Sequence, residues 1–367
     1  MPVDVYYHDF MEVDPVAQWT GLCPSLAGAT YIDIASLGTG FNGAVEDLFD
    51  YARPDIVVTV NGAPVVSIEQ TAMNPSGHNI PQRFTFQVRA AELGVPSILY
   101  YPRAAARTFS DPNVRYLNVR VPLAQARLTE IYGTAALSVF WPVDNVRHLP
   151  IRDQAAHQQL ADLVEVFITN GAVQTTRLPE VQRALADMEA CFAPLAGNYR
   201  KNPSVRLHLP GGFPSSEWAP GHAIDPPNTA QLVPTDEFLR DLDRAPASPA
   251  WAAVSRSLAG RRYTLVFTGT ANALRTDSEH PWPGYLSLLD ILYARRGGGR
   301  TTREREVNLV YRLPVDADAF VARMNAVQPS TASFIVDTFA DLLLLRGGGV
   351  PGRPQRGDGA AYVAFTL

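Results

Sequence analysis

The chain has 367 residues, enough for one large or two medium domains with a sizeable core. Hydrophobic residues make up 46% and charged ones 18%, an ordinary globular balance, and no apolar run approaches the roughly eighteen residues of a membrane span. The formal charge of −5 carries no global basic signature for nucleic acid. Cys23 and Cys191 lie far apart with no CxxC partner, which excludes a cysteine zinc knuckle or a disulfide framework. The acidic start MPVDVYYHDF lacks the basic n-region of a secretory signal, so a cytoplasmic, membrane-free protein is the expectation. Of the 31 cations, 30 are arginines and Lys201 is the only lysine, so any mechanism that needs a lysine has one candidate.

In chain order, YIDIAS reads as a strand and GAVEDLFDYA as a helix. PDIVVTV and APVVSIEQT flank Asn61-Gly62 and read as a hairpin. PQRFTFQVRAAEL, 81–93, places Phe84, Val88 and Ala91 on one helical face, with Gly94 where that helix stops. VPSILYY follows as a buried strand, and YLNVRVP and ALSVFWPV are further strands with the helix LAQARLTEIYG between them. Two helices come next, QAAHQQLADLVEVFITNG and EVQRALADMEACFAPLAG, then a Pro/Gly-rich irregular stretch. The remainder mixes strands (RRYTLVFTG, EREVNLVYRLP, AAYVAFTL) with helices (GYLSLLDILYAR, ADAFVARMNAV, TASFIVDTFADLLLL). The expected organisation is an α/β core over 1–150 and a helical linker plus α+β region over 151–367; one interleaved body would give the same pattern.

Gly38-Thr39-Gly40-Phe41-Asn42-Gly43 fits GxGxxG between a strand and a helix, the setting of a dinucleotide loop. A Rossmann unit would next supply a parallel strand ending in an acid. Here the acid, Asp55, opens the next strand, and Asn61-Gly62 turns that strand straight back on itself. The match reads as a glycine turn before a helix, with a nucleotide- or S-adenosylmethionine-dependent enzyme as the minor alternative.

The chemistry concentrates on the hairpin. Side chains alternate along a strand, so Asp55, Val57 and Thr59 share one face of the first arm, and Ser67, Glu69 and Thr71 one face of the second. The turn brings Asp55 and Glu69 to the same end, where two carboxylates repel unless a cation lies between them. Hard oxygen ligands suit Mg²⁺, which can generate hydroxide and stabilise charge in phosphodiester hydrolysis.

The order helix with Glu46, Pro54-Asp55, hairpin, Glu69-Gln70-Thr71, helix, strand resembles the core of the PD-(D/E)XK nucleases, the superfamily that includes the restriction endonucleases. Asp55 and Glu69 stand fourteen residues apart, within that family's range, and the likeness spans about 42–102. It implies a central mixed sheet flanked by helices, with Mg²⁺ held by Asp55, Glu69 and the Gln70 carbonyl, and Glu46 as a further ligand or else a solvated helix acid.

The family's lysine, two residues past the acid, is Thr71 here. Four readings stay open: an offset motif of Ser67 with Glu69; transfer of the lysine's role to Gln82, Arg83 or Gln87; Lys201 reaching in from the second region; or a fold kept without activity. Gln82 in the polar role and Arg83 as a phosphate clamp are favoured, since a guanidinium does not deprotonate.

The polar loop AMNPSGHNIPQRF offers Asn74, Ser76, His78 and Asn79 to a phosphate or base edge, though Asn79 with Pro81 also fits a helix start. Arg275, Asp277, Glu279, His280, Trp282 and Tyr285 crowd a second loop suited to DNA recognition, joined by local basic stretches that include Arg103 and Lys201. The resemblance implies a type II restriction endonuclease: a homodimer on double-stranded DNA, leaving 5′-phosphate and 3′-hydroxyl ends. A nuclease-fold DNA-binding protein without activity is the runner-up.

Overall fold

The computed structural model describes residues 1–8, 19–34, 42–50, 52–72, 79–108, 111–116, 120–172, 175–199, 223–224, 230–242, 248–268, 307–326, 339–356 and 361–366. The chain divides into two units, Met1–Asn198 and Tyr199–Leu367.

The first unit carries strands β1 (Val3–Tyr7), β2 (Thr30–Asp33), β3 (Ile56–Val60), β4 (Ala63–Gln70), β5 (Ser97–Tyr101), β6 (Ala104–Thr108), β7 (Asp111–Tyr116) and β8 (Ala136–Phe140). Its helices are α1 (Gly43–Glu46, running on into a 3₁₀ turn Asp47–Asp50), α2 (Asn79–Glu92), α3 (Arg120–Tyr132), α4 (Gln158–Asn170) and α5 (Pro179–Tyr199). Six strands form one mixed sheet in the order β2-β1-β3-β4-β5-β8, and β6 and β7 pair as a separate hairpin. β1 runs parallel to β2 and antiparallel to β3, β3 antiparallel to β4, and β4, β5 and β8 are parallel.

The β3–β4 hairpin closes as its sequence requires. Asn61 and Gly62 both take left-handed φ, 51° and 78°, the two-residue turn whose twist matches the strands. Between Val58↔Val66 and Thr59↔Pro64 the register shifts, so Val65 is the extra residue of a bulge. One face of the sheet, with Ile56, Val58, Val66, Ile68 and Ile98, packs with Leu160, Val164 and Phe167 of α4 and Val181 and Met188 of α5. Val57, on the other face, packs with Val45, Leu48 and Phe49 and with Ala90 of α2 and Val95 beyond it. Helix α2 ends in a Schellman motif, where Gly94 has φ 72° and the Val95 N–H donates to the Ala90 carbonyl at 2.8 Å.

Several expectations change. The first unit extends to Asn198 rather than stopping near residue 150, because the apolar stripes of α4 and α5 are buried on the first sheet. MPVDVYY, which drew no strand assignment, forms β1 inside the sheet. YLNVRVP does not form one strand: Tyr116 ends β7, while Arg120, Val121 and Pro122 open α3, with proline in the first turn, where a missing N–H costs nothing.

The second unit holds β9 (Ala223–Ile224), β10 (Ala230–Pro234), β11 (Tyr263–Thr268), β12 (Val307–Asp316), β13 (Leu342–Arg346) and β14 (Gly348–Pro351), ordered β14-β13-β12-β11-β10-β9. Helices α6 (Thr235–Leu242), α7 (Pro249–Ala259) and α8 (Ala317–Ala326) accompany it, with a short α9 (Arg353–Arg356). The expected helix over TASFIVDTFADLLLL is not formed at its leucines. Leu342–Arg346 is a strand between β12 and β14, and a continuous apolar run there serves a strand covered on both faces. Of AAYVAFTL, the described residues 361–366 form no strand: Phe365 makes a single bridge to Gly349, while the Asn325 side-chain amide takes both the N–H and the C=O of Tyr362 at 3.2 Å. Among the described residues, no helix is long and apolar enough to cross a membrane.

Candidate active site

Sheet register sets three side chains in a row. Ile56 faces Ile68, and one residue further Asp55 stands beside Glu69. Tyr7 faces Ile56, and one residue further the His8 N–H donates to the Asp55 carbonyl at 2.9 Å. Directly opposed residues of antiparallel strands project to one face with Cβ atoms about 5 Å apart. By alternation this is the face of Val57, the one that α1 and α2 cover.

The two carboxyls are locked from both arms. Asp55 Oδ2 accepts the Gln70 backbone N–H at 2.7 Å, and the Asp55 backbone N–H in turn favours the Glu69 carboxylate. Arg83, in the second turn of α2, brings its Nε within 3.6 Å of Glu69 Oε1. One Arg83 Nη1 nitrogen is buried without a hydrogen-bond partner. Arg89 anchors the far end of α2 through its Nε to the Asp47 carbonyl, 2.8 Å, and its Nη2 to Asp50 Oδ2, 2.7 Å. One turn beyond Arg83, Gln87 accepts from Gln125 Nε2 at 2.7 Å. Gln125 Oε1 accepts from Ser138 Oγ at 2.6 Å, and that hydroxyl meets Tyr101 Oη at 2.9 Å. This buried chain braces α2 and α3 against β5 and β8, so the helix that carries Arg83 is held in place.

Both acids hold their protons more tightly than isolated carboxyls. Burial pushes Asp55 up to about 6 from an ordinary 3.8, against the pull of the Gln70 N–H, Arg83 and His8. Glu69 is raised well above the usual range, first by burial and then by the Asp55 charge, against the pull of Arg83 and the Asp55 N–H. The pair titrates as a unit, and Arg83 offsets only part of its mutual repulsion. A divalent cation against both carboxylates would cancel the remainder, and oxygen donors of this type fit Mg²⁺.

Other candidates fall elsewhere. Glu46 is exposed on α1, whose N-cap Asn42 reaches the Gly62 carbonyl at the turn end of the hairpin, away from the acids. Among the described residues, no group of three His, Cys, Asp or Glu side chains is arranged to hold a metal. Thr71, in the lysine's slot, is buried and donates its backbone N–H to the Tyr100 carbonyl at 2.9 Å. Gln82 lies in the first turn of α2, and Asn79 is the helix's first residue. Arg103 is exposed just beyond the carboxyl end of β5, which runs parallel to β4 with Tyr100 beside Gln70. Asn74, Ser76, His78, Lys201, Arg275, Asp277, Glu279, His280, Trp282 and Tyr285 lie outside the described residues, as does 38–41 of the GxGxxG match. The strand after that match, β3, runs antiparallel to β1 and therefore to β2, which a βαβ unit does not allow.

Gln87 was a sequence candidate for the lysine's role, but its burial against Gln125, Ser138 and Tyr101, and the place of His8 beside Asp55, were not legible. The available signal was alternation in VDVYYH, ending on a histidine, which points to a strand but does not give its neighbour. No family profile, no curated protein and no solved structure matches the chain.

Proposed function

We propose that the protein is a Mg²⁺-dependent DNA endonuclease of the PD-(D/E)XK kind that cleaves duplex DNA at a specific sequence, as a type II restriction enzyme does. One observation carries the reading: two part-buried carboxyls stand side by side on an antiparallel hairpin with an arginine above them. Their strands are followed by a helix and a parallel strand, the element order of that nuclease core.

In this reading Asp55 and Glu69 hold the metal, with the Gln70 carbonyl as a further oxygen. When bound, the cation lowers the pKa of a water and neutralises charge on the phosphate. Hydrolysis joins the water oxygen to phosphorus and breaks one P–O bond to the leaving sugar oxygen. The water's proton passes to solvent, and the leaving oxygen takes one from solvent. Arg83 clamps a non-bridging phosphate oxygen with the guanidinium nitrogen that is otherwise unpartnered, a charge-assisted bond in a dry setting. The buried amide chain through Gln87 keeps that guanidinium in register with the acids. Arg103, at the same end of the sheet, is suited to a flanking phosphate. A homodimer would present two such sites to the two strands of the duplex.

The test is cleavage of phage or plasmid DNA with Mg²⁺, repeated with Asp55→Ala and Glu69→Ala. Discrete fragments from the unchanged protein and none from either variant are expected, while cleavage that survives both substitutions would sink the assignment. Buried Thr71 in the lysine's slot favours a second reading, DNA binding without hydrolysis. Binding that is insensitive to Mg²⁺ and leaves DNA intact would select it.

A further inference from the structure

We propose that His8 is a third working side chain of this site, hydrogen-bonded to the water that attacks the phosphate. The proposal rests on the hydrolytic reading above and names the group that serves where the lysine is missing.

The placement comes from the sheet. β1 lies beside β3, and the residue after its last pair, His8, is tied to Asp55 by its backbone N–H at 2.9 Å. His8, Asp55 and Glu69 therefore occupy neighbouring positions on three adjacent strands, facing the same way. The imidazole is half-buried, one strand over from the Asp55 carboxyl.

The chemistry of the row leaves few alternatives. Asp55 and Glu69 are committed to the cation. Arg83 has five donors and no acceptor, so it can hold a phosphate but cannot take a hydrogen bond from a water. Thr71, just past β4, is buried with its backbone N–H bonded to the Tyr100 carbonyl. A neutral imidazole carries one donor and one acceptor nitrogen. On the far side of Asp55 from Glu69, it can accept from a water that approaches the phosphate beside the metal-binding acids. The ligand class is a phosphodiester with its attacking water.

The experiment compares the full chain with His8→Ala, His8→Gln and Asp55→Ala. Single-turnover cleavage with Mg²⁺ is measured alongside DNA affinity in Ca²⁺. Loss of about 100-fold or more in rate for His8→Ala is expected, with DNA affinity unchanged and partial recovery in His8→Gln, which restores an acceptor. A second readout needs no turnover. The ¹⁵N resonances of the His8 ring should shift when Mg²⁺ and a phosphorothioate-substituted duplex are added together, and should not shift in Asp55→Ala. If His8→Ala proves misfolded by circular dichroism, His8→Gln and the ring resonances decide. Wild-type rates in both His8 variants, with Asp55→Ala inactive, would overturn the role of His8 and leave the nuclease reading standing. Absence of Mg²⁺-dependent cleavage and of any ring shift in the unchanged protein would overturn both.

Discussion

Replacing Asp55 with asparagine should make the protein more stable at neutral pH. The Asp55 carboxyl binds its proton more tightly folded than unfolded, at about 6 against 3.8. Below 3.8 both states are protonated and the group contributes nothing. As pH rises toward 6 the unfolded chain sheds the proton first, so the folded state loses stability, and above 6 the loss is complete. That displacement corresponds to at most about 3 kcal/mol, reduced where the carboxyl edge meets solvent. Asparagine keeps an oxygen for the Gln70 N–H and relieves Glu69 of its charged neighbour. Urea unfolding of both proteins at pH 4 and pH 7.5 measures the effect. The variant should unfold at higher urea at pH 7.5 and near the parent's midpoint at pH 4, and Mg²⁺ should stabilise the parent alone. An Asp55→Asn variant that is less stable at pH 7.5, or equally stabilised at both pH values, would refute the account of the carboxylate pair.

Two further outcomes follow from buried groups away from the acids. His157 is enclosed with Tyr100 and Trp141 and accepts or donates at Tyr100 Oη, 2.8 Å; burial lowers its proton affinity below the ordinary 6.5. Stability should therefore fall as pH drops below 6.5, where only the unfolded chain gains the proton, and His157→Gln should flatten that acid limb in urea titrations. In the second unit, Asp341 is fully buried, meets Arg261 Nη1 at 3.1 Å and accepts the Leu309 N–H at 2.8 Å. Asp341→Ala should cost that unit about 1–3 kcal/mol by leaving the buried Leu309 N–H without its acceptor, read as early loss of its protease resistance while the first unit persists.

How much of the site could be read from the chain depends on how local each signal is. The hairpin was legible because Asn61-Gly62 and the alternating arms carry their own geometry, and with them came the convergence of Asp55 and Glu69. The helix over Asn79–Glu92 was legible from its 3.6-residue stripe and its glycine stop, which put Arg83 near the acids. Leu342–Arg346 was not, since a short run apolar on every side satisfies a buried strand and a buried helix equally.

Local sequence thus determined the turn, the spacing of the two acids and the helix that follows them, each settled within some fifteen residues by steric and periodic rules. Tertiary structure alone decided that β1 inserts beside β3 and so sets His8 next to Asp55, with about fifty residues of chain between them. It also decided that α4 and α5 belong to the first unit, and that Gln87, Gln125, Ser138 and Tyr101 meet in one buried chain. These are matters of which surface covers which, and no local pattern encodes the partner. Only burial of whole faces against one another selects it.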